Sequence, residues 1–107
     1  MDDDRAGQIA VIFVSIRNDA DAAGYGEAAL AMAALAAAQP GYRGVDSARE
    51  AGGMGITVSY WADDAAAIAW RDHPEHTAIR EFGRALWYDS YSVNVTRIER
   101  AYDWSRP

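Results

Sequence analysis

The chain has 107 residues, half of them apolar, and a formal net charge of −6. This length and composition predict one globular domain with a single core and exclude a disordered chain. The chain has no cysteine and no lysine, which excludes disulfides, thiolate or Schiff-base chemistry and cysteine-bound metal, while the acidic charge argues against nucleic acid as a partner.

The chain also gives no sign of a membrane or a secreted destination. No apolar run approaches the ~20 residues that a bilayer span needs, and the acidic start, Met1 to Arg5, is unlike a secretory signal or a transit peptide. We therefore expect a cytoplasmic protein with no membrane partner. Residues 1–7 are polar and predict a disordered N-terminal tail, followed by a single domain over residues 8–104.

The first half of the chain predicts a strand, a helix and a second strand. Residues Ile9–Ile16 form a β-branched apolar run with two apolar faces, which is typical of a strand covered on both sides. Residues Tyr25–Ala38 are rich in alanine and carry one apolar stripe at helical spacing. Asp19 or Asp21 is expected to cap this helix. Residues Tyr42–Glu50 then predict the second strand.

The second half predicts a hairpin, a broken helix and a last strand. Residues Met54–Trp61 alternate as a strand after the turn residues Ala51 to Gly53. Asp63 or Asp64 is expected to cap a helix that runs to about His73. Pro74 fits a first helical turn, so we expect a kink or a new start there, with helix continuing through Trp87. The final strand is predicted from Tyr91 to about Tyr102.

The predicted order is β-α-β-β-α-β. With right-handed crossovers, this order gives an α+β, ferredoxin-like fold, in which a four-stranded antiparallel sheet carries both helices on one face. The first strand is also apolar on the face that the helices do not cover, so contact of that face with solvent would expose a large apolar patch. A homodimer that pairs two sheets would cover it, and the alternative is a monomer with a half-apolar exposed face.

Two segments resemble the antibiotic biosynthesis monooxygenase family of dimeric α/β-barrel proteins. One segment is the phrase Gln39 to Arg49, and the other is the block that runs from Gly55 to Trp70 and ends in His73-Pro74-Glu75-His76. The resemblance extends over roughly residues 8–104. It implies a ligand pocket between the sheet and the second helix. Family members include oxygenases that turn phenols into quinones without metal or flavin, haem-degrading enzymes and proteins without known activity.

The chain departs from two branches of that family. Quinone-forming members carry an asparagine one helical turn before the tryptophan that resembles Trp70, where this chain has Ala66. Haem-degrading members place a ligand histidine where this chain has Arg80, and they use an asparagine in the first strand, which this chain lacks. The resemblance therefore disfavours haem degradation and weakens the reading as a phenol oxygenase without removing it.

Three residues are the candidates for catalysis. His73 and His76 could accept a proton near neutral pH, because imidazole titrates there. The alternatives are that both histidines serve at helix ends, or that they bind a metal, for which a third ligand is missing from the pattern. Arg80 could hold a phenolate or an enolate. Its alternative role is a surface salt bridge with Asp72 or Glu81.

A set of aromatic and small polar residues around the third strand and the second helix could bind a flat substrate. Aromatic walls with a few polar groups suit such a ligand, although aromatic residues at this spacing also build cores. The candidate substrate-binding residues are Trp61, Trp70, Trp87, Tyr60, Ser59 and Asn94.

The resemblance, together with these candidate residues, implies a cofactor-free monooxygenase for a small aromatic, phenolic or quinone-type substrate, with no metal. The alternative is a non-catalytic or stress-related protein that binds a small molecule on the same scaffold. A haem protein is a third and disfavoured possibility. The sequence predicts no particular substrate.

Overall fold

A computed structural model describes residues 5–107, which form four strands and three helices. In chain order these are β1 (Ile9–Arg17), α1 (Ala22–Ala37), β2 (Tyr42–Arg49), β3 (Met54–Trp61), α2 (Asp64–Arg71), α3 (Pro74–Leu86) and β4 (Tyr88–Arg97). The strands form one antiparallel sheet in the order β2-β3-β1-β4. The predicted ferredoxin-like α+β fold is confirmed, with the second helical region divided into two helices.

The register of the sheet assigns every strand residue to one of two sides. Ile9 of β1 pairs with Trp61 of β3 and with Arg97 of β4, and side chains alternate from there. We call the side that packs on the helices the helix side and the opposite side the outer side. Ile9, Val11, Phe13, Ser15 and Arg17 lie on the helix side of β1, and Ala10, Ile12, Val14 and Ile16 lie on its outer side.

Helix α1 begins three residues earlier than the sequence predicts. Asp21 is its N-cap, and the carboxylate accepts a hydrogen bond from the Gly24 amide at 3.2 Å. Asp21 was one of two predicted caps, and Asp19 does not take this role. No side chain of α1 is buried. Its stripe of alanines lets the helix lie close to the sheet but gives it little area to bury.

The predicted break at Pro74 is confirmed. Asp63 caps α2 by accepting from the Ala66 amide at 2.8 Å, and the helix ends at Arg71. Pro74 occupies the first turn of α3, where its missing N–H costs nothing. His73 is the N-cap of α3 and accepts from the Glu75 amide at 3.2 Å through Nδ1.

The prediction for the last strand is wrong at both ends. Strand β4 begins at Tyr88 rather than Tyr91, because an irregularity beside Arg17 lets Arg17 pair with Tyr88. Helix α3 correspondingly ends at Leu86, and Trp87 is its C-cap. The strand ends at Arg97. Polar alternation continues beyond it in the sequence, which is why the predicted strand ran too far.

The predicted tail of residues 1–7 lies mostly outside the described part of the chain, which begins at residue 5. Residues 5–7 form a turn. This turn is tied to the C-terminal segment, because the Gly7 amide donates to the Ile98 carbonyl at 2.8 Å. In residues 5–107, no helix is long and apolar enough to cross a membrane.

The core is small and lies at one end of the helix side. Ile9, Trp61, Ala67 and Trp70 are buried there and contact side chains of α1, including Met32 and Leu35. Among residues 5–107, no helix covers the outer side. Three of its large apolar side chains, Ile16, Met54 and Ile56, are 38–41% exposed.

Candidate functional site

Two of the residues predicted to bind a flat substrate, Trp61 and Trp70, belong to a compact aromatic stack. Trp70 lies between two flat groups: the Trp61 ring at 6.0 Å and 23°, and the His76 ring at 4.3 Å and 9°. The ring of Tyr42 meets Trp61 edge-on at 5.7 Å. We call these four residues the aromatic stack. Trp61 is 0% exposed, so its faces are occupied by neighbouring side chains of this chain.

The position of His76 fixes the tautomer of its neutral imidazole. Its Nδ1 lies 2.9 Å from the Trp70 carbonyl oxygen. A carbonyl only accepts hydrogen bonds, so Nδ1 carries the proton and Nε2 keeps a free lone pair. Burial lowers the pKa of His76 below its ordinary value; the bond to the Trp70 carbonyl acts in the opposite direction, and the Arg80 charge lowers it further. His76 is therefore neutral at pH 7, with a basic nitrogen available.

His73 and Arg80 have local partners at the break between α2 and α3. The Nδ1 of His73 is the acceptor of the α3 cap, so in its neutral form the proton is on Nε2 and no lone pair remains for a substrate. The Nη1 of Arg80 donates to the Arg71 carbonyl at 3.4 Å, near the end of α2. The Nε of Arg80 is buried and has no hydrogen-bond partner among residues 5–107.

The other predicted binding residues are not gathered at this stack. Ser59 is close to it, since the Trp61 indole N–H donates to the Ser59 hydroxyl at 3.0 Å. Tyr60 and Asn94 lie on the outer side, where the Tyr60 hydroxyl donates to Asp46 at 2.8 Å and Asn94 pairs with Ile12. Trp87 is buried at the far end of β1, roughly 25 Å along the strand from the stack.

A shallow depression of about 290 Å³ borders the stack. It lies between α2 and the turn before β2, and its size is at the lower limit for small-molecule sites. The surfaces that line it are mostly apolar, with Asp63 and Gln39 as the polar side chains. Its lining residues are Gln39, Pro40, Gly41, Asp63, Ala66, Ala69 and Trp70.

A second set of functional groups lies at the opposite end of the helix side, and the sequence analysis did not identify it. The Nη2 of Arg49 donates to the Ser15 and Tyr25 hydroxyls, both at 3.1 Å. The guanidinium carbon of Arg17 lies 3.6 Å from the centre of the Tyr25 ring. Tyr88 completes the group, with its ring centre 6.1 Å from that of Tyr25. We call these five residues the guanidinium cluster.

The Tyr88 phenol of this cluster remains protonated at physiological pH. Burial raises the pKa of Tyr88 far above its ordinary value, and the neighbouring Tyr25 raises it further. The charges of Arg49 and Arg17 act in the opposite direction without outweighing burial. The cluster therefore combines the protonated Tyr88 hydroxyl with two permanent positive charges, those of Arg17 and Arg49.

An open apolar strip adjoins the guanidinium cluster on the helix side. Val93 and Val95 of β4 are 49% and 57% exposed there. They pair with Phe13 and Val11, which are half-buried. Phe13 also contacts the Tyr88 ring, with centres 5.6 Å apart at 76°. We call these four β1 and β4 residues the helix-side strip; it provides a flat apolar surface that reaches the cluster.

Sequence reasoning missed this cluster because its members come from four separate elements. Two signals were present: Arg17 ends an otherwise apolar strand, and Ser15 shares its face by alternation. The position of Arg49 depends on the pairing of β2 with β3, and that of Tyr25 depends on where α1 begins. Neither feature is fixed by a local pattern.

The described residues contain no group of three or more histidine, cysteine, aspartate or glutamate side chains that could hold a metal ion. His73 and His76 are close in sequence, but each Nδ1 is engaged by a backbone group. The side chains described above can transfer a proton, bind an anion and contact aromatic rings.

Comparison with known proteins agrees with this architecture. The sequence pattern of the antibiotic biosynthesis monooxygenase family matches residues 8–81. The uncharacterised protein YqjZ of Bacillus subtilis is 54% identical over 91 residues, which are 85% of this chain and 79% of that protein.

Solved structures share the fold at low sequence identity. SnoaB, a cofactor-independent oxygenase from Streptomyces nogalater, has a TM-score of 0.72 at 18% identity, over 95% of this chain and 99% of that one. Rv0793 from Mycobacterium tuberculosis has a TM-score of 0.74 at 20% identity, over 92% and 99%. These likenesses establish the fold. Because the family's sequence pattern matches residues 8–81, this chain belongs to the antibiotic biosynthesis monooxygenase family.

Proposed function

We propose that the protein is a cofactor-independent monooxygenase of small phenolic substrates. In such a reaction a ring C–H of the phenol becomes a quinone carbonyl. One oxygen atom of O₂ enters the product, and the other leaves as water with the two hydrogens that the phenol loses. The substrate supplies all the electrons, so neither metal nor flavin is required. Family membership and the likeness to SnoaB support this class of reaction.

The observation that carries the proposal is the state of His76. The reaction needs the phenol proton removed, since a phenolate gives an electron to O₂ far more readily than a phenol does. His76 is neutral and half-buried, with Nε2 free to accept that proton. We assign Arg80 to hold the phenolate. Its charge lowers the pKa of His76, and its Nε has no hydrogen-bond partner within residues 5–107.

A non-catalytic binding protein is the second candidate, and one observation favours it. The space beneath α2 is filled by Trp61 and Trp70, and Ala66 stands where quinone-forming members carry an asparagine. A protein with this filled region could bind a ligand elsewhere on the helix side without transforming it.

Oxygen uptake separates the two candidates. Chelator-treated protein is mixed with a panel of anthrone-like and hydroquinone substrates in an oxygen electrode. The oxygenase proposal expects uptake above the buffer rate that falls at least about tenfold in Arg80→Ala and His76→Gln, the range typical of lost acid–base or electrostatic groups. Arg43→Ala removes an exposed arginine outside the site and should leave uptake unchanged. No uptake across the panel would contradict the oxygenase proposal.

We also propose that the protein is a homodimer joined through the outer sides of two sheets. Ile16, Met54 and Ile56 are partly exposed there, and an open depression of about 280 Å³ at the hairpin is lined partly by Ala48, Met54 and Ile56. Apolar surface of this kind is typical of a face that meets another protein. The partners proposed for the chain are thus a second copy of itself and a small aromatic molecule.

A further inference from the structure

The guanidinium cluster concentrates positive charge around a single ring. The guanidinium carbons of Arg17 and Arg49 lie 3.6 Å and 5.3 Å from the centre of the Tyr25 ring. Two cations this close repel one another unless an anion or solvent offsets the charge. Contact with the ring face offsets part of this repulsion, because the face of an aromatic ring attracts cations.

No side chain of the described chain supplies the missing negative charge. Between residues 5 and 107, the ion pair within 4 Å joins Arg71 and Asp72, which do not belong to this cluster. Asp89 lies near β1 but meets Asn18, at 3.4 Å. A carboxylate or a phosphate is the kind of anion that would offset this charge, since guanidinium groups match such anions with paired hydrogen bonds.

Two buried donors also lack acceptors among residues 5–107. The Nε of Arg17 and the indole Nε1 of Trp87 are both buried without a hydrogen-bond partner. The two residues come together at Tyr25, whose ring contacts the Arg17 guanidinium and lies 5.5 Å from the Trp87 ring. Buried donors in native proteins almost always find a partner. These two donors are exceptions within the described residues, and they mark the cluster as a place where the chain's own hydrogen bonding is incomplete.

The backbone is shaped to keep Arg49 in this position. Its guanidinium lies across Gly55 of β3, where an added β-carbon would be 2.4 Å from the Arg49 guanidinium carbon. Its Nη1 donates to the Gly53 carbonyl at 2.7 Å, while its Nη2 meets the two hydroxyls already described. The side chain is thus held in place before any ligand binds, which lowers the entropy lost on binding.

We infer that the guanidinium cluster is a binding site for a planar aromatic carboxylate. The carboxylate meets Arg17 and Arg49, and the ring lies against Tyr88 and the adjoining helix-side strip, where Phe13 and Val93 offer apolar surface. Aromatic neighbours favour a ring-bearing anion over an inorganic one, because a simple oxyanion would leave this surface unused. The inference concerns binding alone and needs no oxygenase activity.

The test measures binding under nitrogen, so that it does not depend on any reaction. Benzoate, benzamide and inorganic phosphate are titrated into the protein by calorimetry, with tryptophan fluorescence as a second readout. We expect benzoate to bind at least about tenfold more tightly than benzamide or phosphate. A tenfold gain in affinity is about the least that one hydrogen bond to a charged group provides. Equal binding of benzamide would show that charge is not recognised, and equal binding of phosphate would show that the ring is not; either result would overturn the inference.

Variants then locate the site. Arg17→Gln and Arg49→Gln should each weaken benzoate binding by roughly tenfold to a hundredfold, whereas Arg43→Gln removes the same charge from an exposed position of β2 and should not. Arg49→Lys keeps the charge but loses the paired donors, so it should bind benzoate less tightly than the native protein even if Arg49→Gln fails to fold. Native affinity in the folded Arg17 and Arg49 variants would refute the placement.

Discussion

Replacing Trp61 with alanine tests whether the aromatic stack is a core or the wall of a cavity. Trp61 is fully buried and contacts Tyr42 and Trp70. Its indole N–H also donates to Ser59. A residue that lines an open ligand cavity would have one bare face and would contribute less to stability.

The expected cost follows from these contacts. Truncating a buried tryptophan to alanine typically costs about 3–5 kcal/mol, through lost burial and an unfilled cavity. Small domains are stable by about 5–15 kcal/mol, so Trp61→Ala should remove roughly a fifth or more of the total. Ser59→Ala leaves the buried indole N–H without its acceptor and should cost about 1–3 kcal/mol.

Urea unfolding followed by circular dichroism, at one fixed protein concentration, measures these differences. Trp104→Ala is the matched control, because Trp104 is 75% exposed and surface changes of this kind stay within about 0.5 kcal/mol. A loss below about 1 kcal/mol for Trp61→Ala, with an unchanged urea slope, would refute the assignment of the stack as core.

Three further predictions concern pH, a turn and self-association. Because the folded state lowers the pKa of His76, the contribution of His76 to stability should be complete above the unfolded pKa of about 6.5 and should decline as the pH falls below it. His76→Gln should therefore weaken the dependence of the urea midpoint on pH between about pH 8 and pH 5. The same dependence in the variant and the native protein would contradict this. Gly41 has φ of +83°, and an added β-carbon would lie 2.5 Å from a side chain of α2, so Gly41→Ala should cost more than about 1 kcal/mol in thermal unfolding. Gly26→Ala in α1 meets nothing within 4 Å and should not destabilise the fold. Ile56→Glu on the outer side should convert a dimer to a monomer in light scattering, whereas Leu30→Glu on α1 should not; a native protein with the mass of one subunit would contradict the proposed dimer.

The elements with strong local signals could be predicted from the sequence. The strand Met54–Trp61 was predicted with its observed bounds, since its alternation and its flanking turn are local features. The new helix at Pro74 was predicted for the same reason, because a proline acts on its own turn. Family membership was also confirmed by the match over residues 8–81.

Features that depend on pairing between distant segments could not be predicted in this way. The start of β4 at Tyr88 depends on the irregular pairing with Arg17, which no local pattern encodes. Alternation alone places Ser59 and Tyr60 on opposite sides of the sheet, but which side meets the helices depends on tertiary packing, and only Ser59 comes near the stack. The guanidinium cluster depends on the same long-range register through Arg49.

Helix α1 contributes Tyr25 to the guanidinium cluster but has no buried side chain of its own, and Leu30 on it is 76% exposed. Alanine loses no rotamer freedom on folding but also gains little from contact, so this helix can detach at a lower free-energy cost than global unfolding. Its amides should therefore exchange with deuterium sooner than those of β1 and β3. Opening of the first turn alone would carry Tyr25 away from Arg17 and Arg49 while Met32 and Leu35, further along the helix, stay packed on the tryptophan core, and would thereby give a small acid a route of entry.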